Sequence, residues 1–159
     1  MKHRRINLLF TATSLLWSVF IWSNSLKTAA ESGEMSGGFL SFVNGILSNI
    51  SPNLALTEHF IRKSAHFCEF AFLGILLALA VSLYCNKVRL PHILIPAVSA
   101  FSVATIDEFL QLFSDGRSCQ FSDVMLDFSG ACTGLLAVHL IFYLIRRKKR
   151  SRRTPSISR

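Results

Sequence analysis

The residues of this chain best suited to chemistry recur at helical spacing in three places. Lys63, His66 and Glu69 stand three apart, Glu108 and Gln111 three apart, Asp107 and Gln111 four apart, and Asp123 and Asp127 four apart. Each set therefore shares one face of a helix. Arg62 adjoins the first set, and Arg117 lies in the short stretch between the second and the third. Arg62, Lys63 and Arg117 offer donors suited to a phosphate, pyrophosphate or carboxylate, and a guanidinium can hold two oxygens at once. Glu108 or Glu69 beside His66 is a candidate general acid and base. Two acids and a histidine also suit a divalent ion, but no HExxH, CxxC or comparable signature is present, and no metal or other cofactor is expected. The plainer reading of the same residues is an ion-pair network that locks helices together.

What must position these groups follows from composition. The chain has 159 residues, 51% of them hydrophobic and only 16% charged, with a net charge of +8; its mean hydropathy is +0.44. An average globular chain is about 25% charged, so the few charges here must be clustered by sign, which argues against both a disordered basic chain and an ordinary cytosolic enzyme. Four apolar runs, Ile6 to Trp22, Phe67 to Tyr84, Ile93 to Phe113 and Val124 to Ile145, are each near the roughly 17–25 residues that cross a bilayer. The expected fold is an all-α integral membrane bundle of four transmembrane helices, residues 1–145, followed by a basic tail, 146–159.

Basic residues set the orientation, because Lys and Arg beside a span stay on the cytoplasmic side. All of them except Lys27, Arg62, Lys63 and Arg117 precede the first run, separate the second from the third, or follow the fourth. All nine acidic residues fall in the other two loops or the helix ends beside them. Both termini are thus expected in the cytoplasm, and the polar ends of runs two, three and four meet at one outer level. Ionisable groups next to hydrocarbon cost several kcal/mol unless they pair or line a wet cavity, so a shared cavity open to the outside is the economical arrangement. A transporter would need polar residues reaching the cytoplasmic half, which these runs lack.

Other features are structural. The first run resembles a signal peptide, with Thr28, Ala29 and Ala30 as small residues beyond it, but it is long for that role. After Gly37-Gly38, which should break the chain, Phe39, Leu40, Val43, Ile46, Leu47 and Ile50 recur at helical spacing opposite Ser41, Asn44, Ser48 and Asn49. They predict a short amphipathic helix in the first outer loop, lying on the leaflet or packed as a lid over the bundle mouth. Gly130 and Gly134 form a GxxxG pair suited to close helix approach, within the bundle or between copies. Cys68, Cys85, Cys119 and Cys132 have no metal-ligand spacing and predict no disulfide frame. The basic tail fits anionic lipid, and no nucleic-acid partner is expected.

Two stretches resemble the VanZ family of small bacterial membrane proteins: RKSAHFCEFAFLG, residues 62–74, and DEFLQLFSDGRSCQFSDVMLDFSGACTG, residues 107–134. FIWSNS, residues 20–25, is similar to that family's usual end to its first helix. The resemblance marks Lys63, His66, Glu69, Glu108, Gln111, Arg117 and Asp123 as the characteristic polar residues, with Gly130 matching a helix-four glycine. The chain departs at Asp127, where the family often has asparagine, and at Phe70, where tyrosine is common. What the resemblance implies is a role in lowering susceptibility to teicoplanin-type lipoglycopeptide antibiotics, and the first reading of the chain is a non-enzymatic envelope protein. The expected ligand of its cavity, combining both lines, is an anionic headgroup such as that of a lipid-linked cell-wall precursor. In that reading Arg117 and Lys63 contact the anion while Glu108, Gln111 and Asp123 orient them. The alternative is a membrane-embedded enzyme acting on an extracytoplasmic lipid-linked phosphate or glycan, with His66 and Glu108 as acid and base.

Overall fold

The computed structural model describes residues 2–50, 56–83 and 89–151. Five helices follow one another: α1 (Lys2–Ser25), α2 (Ala29–Ile50), α3 (Glu58–Ser82), α4 (Leu90–Gln111) and α5 (Phe121–Ser151), with no strand among the described residues. Arg5–Ser25, Glu58–Ser82, Leu90–Gln111 and Phe121–Arg150 are long and apolar enough to cross a membrane. The fold is the expected all-α bundle of four such helices. Tyr84, Cys85 and the tail from Arg152 lie outside the described residues.

Helix limits differ from the apolar runs where caps and turns intervene. Helix α3 starts at Glu58 and not near Phe67, because the Thr57 hydroxyl accepts the Phe60 N–H at 3.2 Å as an N-cap. Arg62, Lys63 and His66 therefore ride on its opening turns. Helix α4 starts at Leu90, with a proline in its first turn where the ring replaces an N–H that has no helical partner anyway. It ends before Phe113, which lies in the following turn. Helix α5 runs on through Arg146–Arg150.

The Gly37-Gly38 pair does not break the chain: both lie inside the continuous helix α2. A reciprocal cap at its start explains the earlier beginning. The Glu31 N–H donates to Thr28 Oγ1 at 3.2 Å, and the Thr28 N–H donates to Glu31 Oε2 at 2.9 Å. Asn44 is not on a solvated face either. Its Nδ2 donates to the Leu56 carbonyl at 3.1 Å and its Oδ1 accepts the Leu56 N–H at 2.8 Å, tying α2 to the connection before α3.

Packing is tightest between α3 and α5. A Cβ on Gly74 would fall on the Ala131 carbonyl, one on Gly130 on the Phe67 carbonyl, and one on Gly134 on the Ala71 carbonyl. Only hydrogen at these positions lets the two backbones touch. Around the seam lies a core of Ile21, Phe70, Leu73, Ala100, Ala104, Val124 and Ala131, with a second cluster of Ala78, Leu135 and Val138. Phe70 is fully buried there. Two tryptophans fasten α1: Trp17 Nε1 donates to the Glu69 carbonyl at 3.0 Å and Trp22 Nε1 to the Val103 carbonyl at 3.2 Å. Leu15, Leu16, Val98, Leu136 and Leu140 point outward and stay exposed, the surface a lipid-embedded bundle needs. Cys68, Cys119 and Cys132 are free thiols.

Candidate functional site

Four helix ends supply the polar cluster, and each side chain reaches it from a particular turn. Asp107 and Glu108 on the last turn but one of α4 are both fully buried, and Asp127 on the second turn of α5 is 2% exposed. Ser25, the last residue of α1, donates its hydroxyl to Asp107 Oδ1 at 2.7 Å. Gln111, one turn on from both acids, donates Nε2 to Glu108 Oε2 at 3.0 Å and more weakly to Asp107 Oδ2 at 3.5 Å. Glu108 Oε1 also accepts the Gln120 backbone N–H at 2.6 Å. Glu108 thus pins the connection between α4 and α5 across its whole length.

That connection carries Arg117. Gly116, with φ of 75°, occupies the left-handed region that a side chain disfavours, and the Arg117 N–H closes a turn onto the Ser114 carbonyl at 3.2 Å. Ser114 in turn donates its hydroxyl to the Ser25 carbonyl at 3.0 Å, and Arg117 Nη1 reaches the same carbonyl at 3.4 Å. Arg117 Nε is buried without a partner. Burial, and then the neighbouring Arg62 charge, push the Arg117 guanidinium below its usual pKa.

Two cavities meet along this cluster. The first, about 90 Å³, lies between α3, the 112–120 connection and α5, and is lined among others by His59, Lys63, Gln111, Gln120, Asp123 and Asp127. A second, about 250 Å³, is lined by Asn24 of α1, Lys27 just beyond it, Ser32 and Phe39 of α2, and Ile61, Ala65 and Glu69 of α3. Arg62, His66 and Arg117 line both. Lys63 donates to Asp123 across the first cavity, whereas Arg62 and Arg117 have no carboxylate ion-pair partner among the described residues.

Lys63, His66, Gln111, Arg117, Asp123 and Asp127 share the first cavity. Glu69 lies on the second cavity and accepts Asn24 Nδ2 at 3.2 Å. Glu108 lines neither and is enclosed by Gln111 and Gln120. His66 Nδ1 is buried with no hydrogen bond and stands 4.0 Å from Asp107 Oδ2. Ser25, Asn24 and Gln120, which hold the acids in place, and Ser114, which donates to the Ser25 carbonyl, are not marked for these roles by the spacing of the sequence. Small polar residues at a helix end read equally well as ordinary caps, so only the FIWSNS likeness pointed toward Asn24 and Ser25.

A bundle of four membrane-length helices closed at one end by a buried, mixed-charge cluster defines a small multi-pass membrane protein with a polar site between its helix ends. The sequence matches the family described as VanZ/LLP1 over residues 10–145, and the chain belongs to that family. No curated protein and no solved structure matches it.

Proposed function

We propose that the protein is a VanZ-type protein of the bacterial cell envelope whose paired cavities open outward and bind an anionic headgroup. In this reading Arg62 and Arg117 are the recognition groups. The observation that carries it is their lack of any carboxylate partner at the wall common to both cavities, while Lys63 is already paired with Asp123. Two neighbouring guanidiniums with no carboxylate ion-pair partner among the described residues suit the adjacent oxygens of a phosphate or pyrophosphate. Lys63 and Asp123 shape the rim, Glu108 and Gln111 hold the Arg117 connection, and the larger, more open cavity beside Phe39 of α2 admits the first part of a lipid chain. A lipid-linked wall precursor has that chemistry, and a protein that engages it would alter docking of a teicoplanin-type antibiotic anchored in the same leaflet.

The test uses farnesyl pyrophosphate, a short isoprenoid pyrophosphate, with full-length protein in nanodiscs. Wild type should bind, and Arg117→Gln and Arg62→Gln should each weaken binding by about tenfold or more, the loss expected for a charge-assisted contact. Equal binding by all three sinks the assignment. Release of phosphate by wild type, lost in His66→Gln, would instead make the protein an enzyme. In a susceptible Gram-positive host the wild-type chain should reduce cell-bound fluorescent teicoplanin and raise resistance to teicoplanin over vancomycin, and Arg117→Gln at equal membrane abundance should not.

A further inference from the structure

Beneath the arginines lies a grouping that the anion reading does not use. His66 from α3, Asp107 from α4 and Asp127 from α5 each bring a ligand atom within 4.8 Å of the others. Three observations separate this set from an ordinary ion-pair cluster. Asp127 is 2% exposed, yet neither a hydrogen bond nor an ion pair reaches it among the described residues. His66 Nδ1 is buried and unpartnered at 4.0 Å from Asp107 Oδ2. Asp107, fully buried, is steadied by Ser25 on Oδ1, and its Oδ2, which takes only the long 3.5 Å bond from Gln111, stands toward the histidine. Two carboxylates deep among apolar helices hold their charge only beside compensating positive charge, and otherwise take up a proton. Among the described residues no lysine or arginine forms an ion pair with Asp107 or Asp127: Lys63 is paired with Asp123, and Arg117 acts on Asp107 only from a longer distance.

We infer that His66, Asp107 and Asp127 form a binding site for one divalent first-row metal ion, of the Zn²⁺ or Mn²⁺ kind, at the floor of the first cavity. One imidazole with two carboxylates favours these ions over Ca²⁺ or Mg²⁺, which take oxygen ligands almost exclusively. Ligand atoms roughly 2.0–2.2 Å from such an ion stand about 3 to 3.5 Å apart, so the three side chains close inward by roughly an ångström, within reach of small χ rotations. The bonds from Ser25 and Gln111 to Asp107 are the outer contacts that orient a ligating carboxylate. Three protein ligands leave coordination positions open toward the cavity, where a water or a phosphate oxygen would complete the shell. No motif betrays the site in the linear sequence, because each ligand comes from a different helix.

The experiment needs no anionic ligand, so its failure and that of the headgroup reading are separable. Full-length protein in detergent, stripped with chelator and dialysed against Zn²⁺ or Mn²⁺ in phosphate-free buffer, should retain about one ion per chain by elemental analysis and gain thermal stability on adding it. Asp127→Asn, which keeps volume and removes the charge, and His66→Gln should each lower affinity by about tenfold or more and abolish that gain, while Asp115→Asn, at an exposed carboxylate, retains the ion. If Asp127→Asn does not fold, His66→Gln at the cavity wall decides. No retained ion in wild type overturns the site and leaves a shared proton as the device that lets the two acids coexist. Retention undiminished in His66→Gln and Asp127→Asn overturns it equally, since the ion would then sit elsewhere.

Discussion

The α3–α5 seam and the polar end of the bundle hold the same helices together by opposite means. Along the seam, Gly74, Gly130 and Gly134 remove side chains so that backbone meets backbone, and the contact is specified by the absence of volume. At the polar end, Asp107 and Glu108 are buried polar groups at the end of α4, and the contact is specified by hydrogen-bond partners from Ser25, Gln111 and Gln120. The first kind of contact cannot bind anything because it leaves no space. The second encloses two cavities because partners at fixed distances hold the helix ends apart. Rigidity at one level and enclosed polar space at the next are therefore separable properties of one bundle.

That separation predicts a graded response to substitution. The largest effect should come from Gly134→Ala, whose new methyl meets the Ala71 carbonyl with no flexible side chain to yield. A loss of about 3 kcal/mol, the upper end of the overpacking range, should appear as a fall in thermal midpoint in detergent. Gly38→Ala on α2 meets nothing within 4 Å and should instead gain about 0.5–1 kcal/mol from helix propensity. If both changes have the same sign, backbone contact is not what ties α3 to α5. The middle effect should come from Ser25→Ala, which strips Asp107 Oδ1 of its 2.7 Å donor and should cost about 1–2 kcal/mol. Because Ser25 also orients Asp107, it should weaken metal retention as well as stability, whereas Gly134→Ala should shift stability alone in whatever fraction folds.

Much of the architecture was legible because bilayer thickness imposes it: four apolar runs of membrane length, and three polar stripes whose period places them on single faces. Lys63 and Asp123 were readable as members of one cluster, since both flank apolar runs that must end at the same level. Their direct pairing was not, because sequence carries no information on the rotation of one helix about its axis relative to another. The same ignorance hid the convergence of His66, Asp107 and Asp127, and it concealed that Glu108 faces the Gln120 backbone and not a cavity. Gly37-Gly38 misled for a different reason. Glycine weakens a helix by only about 1 kcal/mol, and a cap upstream together with the Asn44 clamp downstream offsets that.

The smallest effect tests that account of α2. Thr28-Ala29-Ala30-Glu31 is a capping box in the sequence itself, and the Thr28 backbone N–H, followed by its hydroxyl, holds the exposed Glu31 carboxyl below the usual carboxylate range. A depressed folded-state pKa means the cap contributes fully above the unfolded value and fades as pH falls through the folded one. Glu31→Ala should therefore speed amide exchange over residues 29–34 at neutral pH, and the difference from wild type should close as the solution is acidified past the Glu31 titration. Exchange in α3 and α5 should be unchanged, because Glu31 touches neither the seam nor the polar end. If acidification leaves the difference intact, the helix start is held by something other than the ionised cap, and the continuity of α2 through Gly37-Gly38 would then rest on the Asn44 clamp alone.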